Sequence, residues 1–569
     1  MKRLSGYSVG IFCLLLVTFA LISFNKADDK INIGFATTSE RFSREVVPTV
    51  ALSSHWKTTP WRGEKVHQQI LVWSEAGLPT LGIKKINPLK NKNGRIIEAR
   101  HVQAGFVGYV ITDEYGDKVS SCKNDRRGQQ FDSSWVADPI YIRQQIPAQR
   151  HAVQPIWVSV SVPATATAGT YTGSIEIEAG KKTILPITIE VLDRTLPPPA
   201  QWTFHLDLWQ HPAAIARVAN LPLWSKAHFD AMRPYYTMLA KAGQKVITTS
   251  IIHEPWDHQT YDDFPSLVKW IKKRDGSWQY DFSLFDRYVQ FVMDCGIDQQ
   301  INAYSMIPWK LSFTYFDEAA GKDTALTVSP GTEAYTQFWK PMLTQFAAHL
   351  KSKGWFQKTT IAMDERPMKS MQAVIQLLKT IDKDWKVTLA GNYHPEIEKD
   401  IFDYSVASQF QFDTAALKDR KATGKKSTFY TCCAEPFPNG FTYSPPDEHV
   451  WIGWYVAANN FDGYLRWAYN SWPKNPMQDS RFELGPGGDT YQIYPGAQSS
   501  IRFEKLIEGI QDFEKINVLK KEYKATNNTR ALDRLEQARH AFQINKLKTE
   551  KAADMVNAVK PLLNVSKPF

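Results

Sequence analysis

The stretch KTTIAMDERPMKSM, residues 358–371, joins a strand-forming run to two acids and then to a helical segment. Residues 359–363 are apolar or β-branched, which predicts a short buried strand. Asp364 and Glu365 follow this strand directly, and the helical pattern begins after Pro367. Because neighbouring residues on a strand point to opposite faces, two consecutive acids at a strand end require an explanation.

The same succession of strand, loop and helix recurs along residues 201–516. The predicted strands are 202–209, 245–252, 298–304, 359–363, 386–390, 404–410, 426–431 and 463–469. Amphipathic segments separate them, and eight such alternations over about 300 residues predict a (β/α)₈ TIM-like barrel. A doubly wound open sheet is the alternative, but no glycine-rich phosphate loop follows any of the predicted strands.

The regions on either side of the predicted barrel have different patterns. Residues 31–196 are rich in short alternating strands separated by turn residues, which predicts a β-sandwich. The segment TLPPPAQ, residues 195–201, marks the boundary, because proline cannot donate to a strand ladder. Residues 517–569 are charged and helical in pattern, and predict a C-terminal helical tail.

The composition indicates a large globular protein. The chain has 569 residues, of which 13% are aromatic, and a net charge of +10 from 68 basic and 58 acidic residues. The basic residues are scattered and no nucleic-acid-binding motif accompanies them, so nucleic acid is not an expected partner. Aromatic side chains fill cores, and they also stack on the apolar faces of sugar rings.

The N-terminus has the pattern of an export signal. Lys2 and Arg3 precede the apolar run of residues 9–24, and a polar segment follows. Residues 1–28 are therefore predicted to be a signal peptide, with an uncleaved membrane tether as the alternative. Either interpretation predicts an exported protein, located in the periplasm, at the cell surface or outside the cell.

The cysteine pattern predicts neither a metal site nor a disulfide scaffold. Cys13, Cys122, Cys295, Cys432 and Cys433 lack ligand spacing, and adjacent Cys432 and Cys433 are expected to pack as small apolar side chains. No HExxH motif, histidine–cysteine cluster or EF-hand loop is present. We expect no metal and no cofactor.

The position of the two acids predicts glycoside chemistry. Catalytic groups of a TIM barrel lie at the C-terminal ends of its strands, where Asp364 and Glu365 are expected. Two-carboxylate glycosidases place their acids on opposite sides of the scissile bond, which adjacent residues rarely do. Adjacent acids suit substrate-assisted hydrolysis, in which a 2-acetamido oxygen of the sugar is the nucleophile.

Four stretches carry a resemblance to a known family. They are GTYTGSIEIEAG at 169–180, MDERP at 363–367, DGYLRWAYNSWPKNP at 462–476, and the region 487–516 that contains GGDTYQIYPG and SSIRFEKLIEGIQDFEKI. Over about residues 50–525 the chain resembles glycoside hydrolase family 123 and its β-N-acetylgalactosaminidase-like relatives. The resemblance implies that Asp364 orients the acetamido group and that Glu365 is the general acid/base.

Other residues near predicted strand ends are candidates for substrate binding. They are His253, Tyr304, Asn392, Tyr393, Tyr430, Trp467, Asn470 and Trp472. Asp489 and Tyr494 are interpreted as structural. Arg366 is expected to point away from the acids, into an ion pair behind the barrel, because a nearby cation favours an ionised carboxyl over an acid.

The sequence therefore predicts an exported glycosidase that removes a terminal β-linked N-acetylhexosamine with retention, N-acetylgalactosamine first and N-acetylglucosamine second. Its expected partner is a glycan or glycoconjugate. Three alternatives stay open: a catalytically silent glycan-binding protein, a cell-envelope scaffold, and a glycosidase for sugars without the acetamido group. The last would use another carboxylate as nucleophile, with Glu254, Asp207 and Glu435 as candidates.

Overall fold

The computed structural model describes residues 30–113, 133–482 and 485–566. The predicted leader, residues 1–28, lies outside these ranges. Within them, no helix combines the length and the apolar character that crossing a membrane requires.

The N-terminal part of the chain is a β-sandwich. Its strands are β1 (Asn32–Ala36), β2 (Trp56–Thr58), β3 (Trp61–Arg62), β4 (Lys65–Trp73), β5 (Leu81–Ile86), β6 (Leu89–Asn91), β7 (Ile96–Ile97), β8 (Val102–Asp113), β9 (Ser133–Tyr141), β10 (Gln145–Ile146), β11 (Val153–Ser161), β12 (Gly169–Ala179) and β13 (Lys181–Thr195). One sheet has the order β1-β4-β11-β8-β9, and the other has β10-β5-β12-β13-β2 with β3, β6 and β7 at its margins. Alternate residues of both sheets, such as Ile70, Ile156 and Ile177, form the core between them.

The second part is a nearly closed eight-stranded parallel barrel. Its strands are β14 (His205–Leu208), β15 (Val246–Ser250), β18 (Gln300–Tyr304), β21 (Thr359–Met363), β22 (Lys386–Gly391), β23 (Asp403–Ala407), β24 (Lys426–Tyr430) and β25 (Gly463–Arg466). They follow the order β14-β25-β24-β23-β22-β21-β18-β15. A single bridge, Leu206 to Gln244, joins the two end strands. The prediction of a TIM-like barrel is therefore confirmed.

Helices surround the barrel and continue beyond it. They are α1 (Pro212–Ala219), α2 (Lys226–Lys241), α3 (Ser283–Asp294), α4 (Glu333–Ser352), α5 (Met368–Ile381), α6 (Thr414–Ala422), α7 (Asp447–Ala458), α8 (Ile501–Ala525), α9 (Thr529–His540) and α10 (Ala552–Val559). Side-chain caps fix several N-termini, as when Ser500 accepts a hydrogen bond from the Phe503 amide at the start of α8. α8 crosses the boundary that we predicted at residue 516.

A small sheet that the sequence analysis did not predict lies beside the barrel. It consists of β16 (Lys269–Lys272), β17 (Trp278–Asp281), β19 (Ser312–Asp317) and β20 (Lys322–Thr327), in the order β17-β16-β19-β20. These strands belong to the long loops that follow β15 and β18. They thus enlarge the C-terminal side of the barrel, where a TIM barrel carries its site.

Buried ionic contacts join the sandwich to the barrel. Asp138, on β9, lies 2.9 Å from the Arg502 guanidinium of α8 and accepts a hydrogen bond from the Tyr494 hydroxyl at 2.7 Å. Both side chains of the Asp138–Arg502 pair are almost completely buried. The structural interpretation of Tyr494 agrees with this contact.

The cysteines depart from the prediction at one position. Cys433 is disulfide-bonded, whereas Cys295 and Cys432 are free thiols. The expectation that Cys432 and Cys433 both pack as simple apolar side chains is therefore wrong for Cys433.

Candidate active site

The barrel interior near the C-terminal ends of the strands combines small and aromatic side chains, which together form the upper cluster. Three consecutive strands, β21, β22 and β23, contribute Ala362, Ala390 and Ala407 to one buried cluster. The same cluster contains large aromatic residues from the other strands and loops, including Tyr304 and Tyr430. Because their side chains are only methyl groups, these three alanines leave space next to the two acids. Larger residues would fill that space.

Asp364 is held at this end of the barrel by two neighbours. β21 ends at Met363, and the Asp364 side chain is 13% exposed. The Trp309 indole donates a hydrogen bond to Asp364 Oδ2 at 2.9 Å, and Arg366 Nε lies 3.6 Å from Oδ1. Burial raises the pKa of Asp364 to about 6, although the Arg366 charge and the Trp309 hydrogen bond both act to lower it.

Arg366 does not point away from the acids as predicted. Its guanidinium lies 3.7 Å from the centre of the Trp309 ring, and its Nε faces Asp364. The face of the aromatic ring attracts the stacked guanidinium, and the edge of the guanidinium remains available for the carboxylate. The arginine thus acts electrostatically on Asp364.

Glu365 lies at the surface of the opening and contacts the seventh barrel strand. The Tyr430 hydroxyl, at the end of β24, donates a hydrogen bond to Glu365 Oε1. Burial, and next the charge of Glu365, raise the pKa of Tyr430, so this hydroxyl stays protonated and acts as a donor. Glu365 also lines a cavity of about 280 Å³ together with Asn392 and His394. One acid is therefore anchored inside the barrel end, and its neighbour faces solvent.

Two family models match this sequence. The model described as "Glycoside hydrolase 123, catalytic domain" matches residues 209–519, which is more than half of the chain. The chain belongs to glycoside hydrolase family 123. The model described as "Glycoside hydrolase 123 N-terminal domain" matches residues 35–179 of the sandwich. The protein is therefore a glycoside hydrolase.

A solved structure agrees with this family 123 assignment. A family 123 glycoside hydrolase from Clostridium perfringens, studied for its hydrolysis of glycolipid glycans, has a TM-score of 0.83 and 25% identity, over 94% of this chain and 98% of that chain. A family 39 glycoside hydrolase from Bacteroides cellulosilyticus WH2 has a TM-score of 0.34 and 9% identity, over 81% and 82% of the two chains. The latter is too dissimilar to carry an argument. No curated protein matches the chain.

Four of the predicted substrate-binding residues lie close to the acids or to the mouth of this family 123 barrel. Asn392 is exposed and shares a cavity with Glu365, and Tyr430 contacts Glu365 directly. Trp467 is partly buried in the upper cluster, and its indole donates to Asp489 Oδ2 at 3.2 Å. Tyr393 is half-buried, with its ring 5.2 Å from that of Phe412.

His253 and Tyr304 lie elsewhere than the prediction requires. His253 is exposed and lines a separate cavity of about 390 Å³ next to the small sheet, which Glu365 does not line. Tyr304 is completely buried beneath Trp209 and Trp256, with ring centres about 5 Å apart. Tyr304 thus belongs to the floor of the opening rather than to its exposed surface.

Asn470 and Trp472 are not at the opening. Asn470 is buried, and its side-chain amide is bonded to both main-chain groups of His211, at 2.9 Å and 2.8 Å. Trp472 is completely buried and donates to the Ile493 carbonyl at 2.7 Å. The polar atoms of both side chains are already used within the protein, so both residues act as structural braces.

The three alternative carboxylates are also engaged by the protein. Glu254 accepts main-chain hydrogen bonds from His258 and Phe264, and Glu435 accepts from Ser408 and from the Cys432 amide. Asp207 is buried deeper in the barrel, where burial and next the charge of Asp403 raise its pKa to about 7. All three residues are at most 8% exposed, and contacts within the protein account for the burial of each carboxylate.

The described residues contain one group whose geometry would suit a metal ion. Ligand atoms of Glu254, His258 and Asp263 lie within 4.8 Å of one another. The His258 ring and Asp263 already form a contact of 2.8 Å, and both Glu254 oxygens accept amides. These contacts hold the loop after β15 in its conformation. The three residues therefore have a structural role that needs no cation.

Trp309 is the residue at this site that the sequence analysis missed. It lies in the loop after β18, the strand that pairs with β21. Its 37% exposure distinguishes it from the many buried tryptophans of the chain. Its position beyond the C-terminal end of a neighbouring barrel strand is the signal that would have identified it.

Proposed function

We propose that this family 123 hydrolase removes a terminal β-linked N-acetylhexosamine, N-acetylgalactosamine in preference to N-acetylglucosamine, by substrate-assisted retaining hydrolysis. One observation carries the proposal. Asp364 and Glu365 are adjacent in sequence, yet the first is anchored by Trp309 inside the barrel end and the second faces solvent. This arrangement suits two roles on one sugar, as the substrate-assisted exception to the two-carboxylate scheme requires.

Asp364 supplies the fixed negative charge of this mechanism. Its ionised carboxylate accepts the acetamido N–H, which directs the acetamido oxygen at the anomeric carbon. As that oxygen forms its bond, the glycosidic bond breaks and positive charge spreads over the oxazolinium ring. A carboxylate held in a water-poor site stabilises that charge more strongly than one in bulk water.

Glu365 moves the proton in both steps. In the first step it donates a proton to the glycosidic oxygen, so the aglycone leaves as an alcohol. In the second step it takes a proton from the water that attacks the anomeric carbon and reopens the oxazoline. The two inversions give net retention. Tyr430 donates to Glu365 Oε1, which leaves Oε2 for the proton in transit.

The class of glycan that carries the terminal sugar is proposed from a related enzyme of the same family. The Clostridium perfringens enzyme, at 25% identity over nearly the whole chain, was studied for glycolipid glycan hydrolysis. We assign the same substrate class, the glycan of a glycolipid, to this protein. The terminal sugar of such a glycan would bind at the C-terminal ends of the barrel strands, next to Asp364 and Glu365, with its aglycone outside.

Export is part of the proposal. The basic and apolar pattern of residues 1–28 predicts a leader, and Cys433 is disulfide-bonded, which is typical of proteins outside the cytosol. The test is to fuse the chain, with and without residues 1–28, to a reporter that is active only after export. Equal reporter activity from the two fusions would contradict export by this leader.

The catalytic roles are tested by Glu365→Gln and Asp364→Asn, assayed on an aryl β-N-acetylgalactosaminide. We expect each to lower kcat by about 100-fold or more, because each removes a group that acts in the transition state. The matched control is Glu318→Gln. Asp317 and Glu318 form another adjacent pair at a strand end, where Glu318 binds Lys273 at 2.5 Å.

Two further measurements separate this mechanism from its alternatives. A thiazoline mimic of the oxazoline is expected to inhibit, and proton NMR is expected to show the β-anomer as the first product. Unchanged turnover in both acid variants, or indifference to the thiazoline, would contradict the proposal. Glycan binding on an array without any turnover would identify a silent barrel instead.

A further inference from the structure

We propose that Trp309 is a positioning residue for Asp364. The indole N–H, with the Arg366 guanidinium stacked on its ring, holds the carboxylate in the orientation that receives the acetamido N–H of the substrate. This inference rests on the proposed function, and it adds a residue outside the acid pair.

The contacts divide the two oxygens of Asp364. Trp309 Nε1 donates to Oδ2 at 2.9 Å, a normal hydrogen-bond length. Arg366 Nε lies 3.6 Å from Oδ1, which is too long for a hydrogen bond but close enough for ionic attraction. Oδ1 therefore keeps acceptor capacity for a substrate amide, while Oδ2 is fixed by the protein.

The loop that carries Trp309 is itself fixed by main-chain contacts. The Trp309 amide donates to the Pro255 carbonyl at 3.0 Å, which ties the loop after β18 to the loop after β15. The Tyr335 hydroxyl of α4 donates to the Met306 carbonyl at 2.6 Å, three residues before the tryptophan. An indole whose loop is held at Met306 and at Trp309 imposes a direction on Asp364 that a mobile side chain would not impose.

The exposure of Trp309 offers a competing role, that of a stacking platform for a sugar ring. The two roles depend on different parts of the side chain. A platform uses the ring face, which phenylalanine also provides, whereas positioning uses the indole N–H, which phenylalanine lacks. Trp309→Phe therefore distinguishes them.

The test measures kcat, KM and the pH profile of Trp309→Phe on the aryl β-N-acetylgalactosaminide. We expect kcat to fall about 10- to 100-fold, the loss typical of one hydrogen bond to a charged group, with a smaller change in KM. The indole N–H stabilises the ionised form of Asp364, so its loss is expected to raise the pKa of this carboxyl. The acid limb of the profile is therefore expected to move to higher pH.

Trp135→Phe is the matched control. Trp135 is 39% exposed and also has an arginine over its ring, Arg44 at 4.5 Å, but it lies on β9 of the sandwich. This control is expected to keep wild-type kcat and pH profile. Lower turnover in Trp135→Phe would show that the loss of an exposed, arginine-stacked indole affects turnover through stability alone.

The outcomes are separable. A wild-type enzyme without turnover contradicts the proposed function, whereas an active wild type with an unaltered kcat and profile in Trp309→Phe overturns only the positioning role. A change in KM alone, with kcat and the pH profile of the wild type, also overturns the positioning role. If Trp309→Phe does not fold, Arg366→Gln is assayed instead, and an acid limb that stays in place there contradicts the inference.

Discussion

Tyr430 donates a hydrogen bond to Glu365 across the open end of the barrel. Tyr430 is the last residue of β24, whereas Glu365 follows β21, and β23 and β22 lie between these two strands in the sheet. The contact therefore spans the part of the opening whose inner layer is formed by alanines rather than aromatic residues.

Tyr430→Phe tests what this contact contributes. The substitution keeps the ring in the upper cluster and removes the donor to Glu365, so Glu365 loses its fixed orientation. We expect kcat on the aryl substrate to fall about 10-fold, the effect of one hydrogen bond to a charged group. The measurement is steady-state kinetics, with thermal unfolding to confirm that stability is retained.

Tyr280→Phe is the control for Tyr430→Phe. The Tyr280 hydroxyl is buried and has no hydrogen-bond partner among the described residues, so its removal costs no contact. We expect wild-type kinetics from this variant. Equal kcat in the two tyrosine variants would show that the contact with Glu365 does not affect turnover.

The pH dependence follows from the raised pKa of Asp364. That pKa lies at about 6, above the usual range for an aspartate, chiefly because the carboxyl is buried. In the proposed mechanism the ionised form accepts the acetamido N–H and stabilises the oxazolinium charge, so kcat/KM is expected to fall as the pH drops through about 6. The measurement is kcat/KM of the wild type from pH 4 to 8.

Asp364→Asn assigns this acid limb. An asparagine does not titrate, so the residual activity of the variant is expected to lose the limb near pH 6. A limb that persists in Asp364→Asn would belong to another group. Asp207 is a buried carboxyl whose pKa is raised to about 7, and Asp207→Asn would then be the next variant.

The sequence predicted the barrel well and its strand ends less well. Runs such as residues 359–363 are apolar and β-branched, and they became strands because burial on both faces needs such residues. The eighth strand was predicted to run to residue 469, but the ladder ends at Arg466. Beyond it the chain turns into packed structure, which places Asn470 and Trp472 in the protein interior.

Long-range contacts explain the features that sequence patterns did not predict. Arg366 faces Asp364 because Trp309, 57 positions earlier, offers its ring face, and no local pattern encodes that neighbour. The strands of the small sheet are only four to six residues long and lie in loops between barrel strands. Such short segments acquire their pairing from tertiary contacts rather than from propensity.

Asp489 supports the mouth through a buried ion pair, and its removal is expected to destabilise the fold. Its carboxylate lies 2.8 Å from Arg466, both side chains are at most 1% exposed, and it also accepts from the Trp467 indole. Asp489→Ala leaves a buried guanidinium without this partner, which costs about 3–5 kcal/mol of unfolding free energy. Urea unfolding measures the loss.

Asp400→Ala provides the comparison for Asp489→Ala. Asp400 pairs with Lys379 at 2.5 Å, but the two side chains are 33% and 49% exposed, so solvent screens the pair. We expect a change in unfolding free energy below about 1 kcal/mol. Similar losses in the two variants would show that burial does not govern the contribution of Asp489.

The contact between sandwich and barrel is expected to depend on Asp138. This completely buried carboxylate binds Arg502 at 2.9 Å and Arg41 at 3.0 Å, so Asp138→Ala leaves two buried cations with one counter-charge fewer. We expect a loss of about 3–5 kcal/mol in urea unfolding. The control is Asp193→Ala, whose carboxylate is 64% exposed beside Arg62 and is expected to change little. Equal stability of Asp138→Ala and the wild type would mean that packing alone joins the two parts.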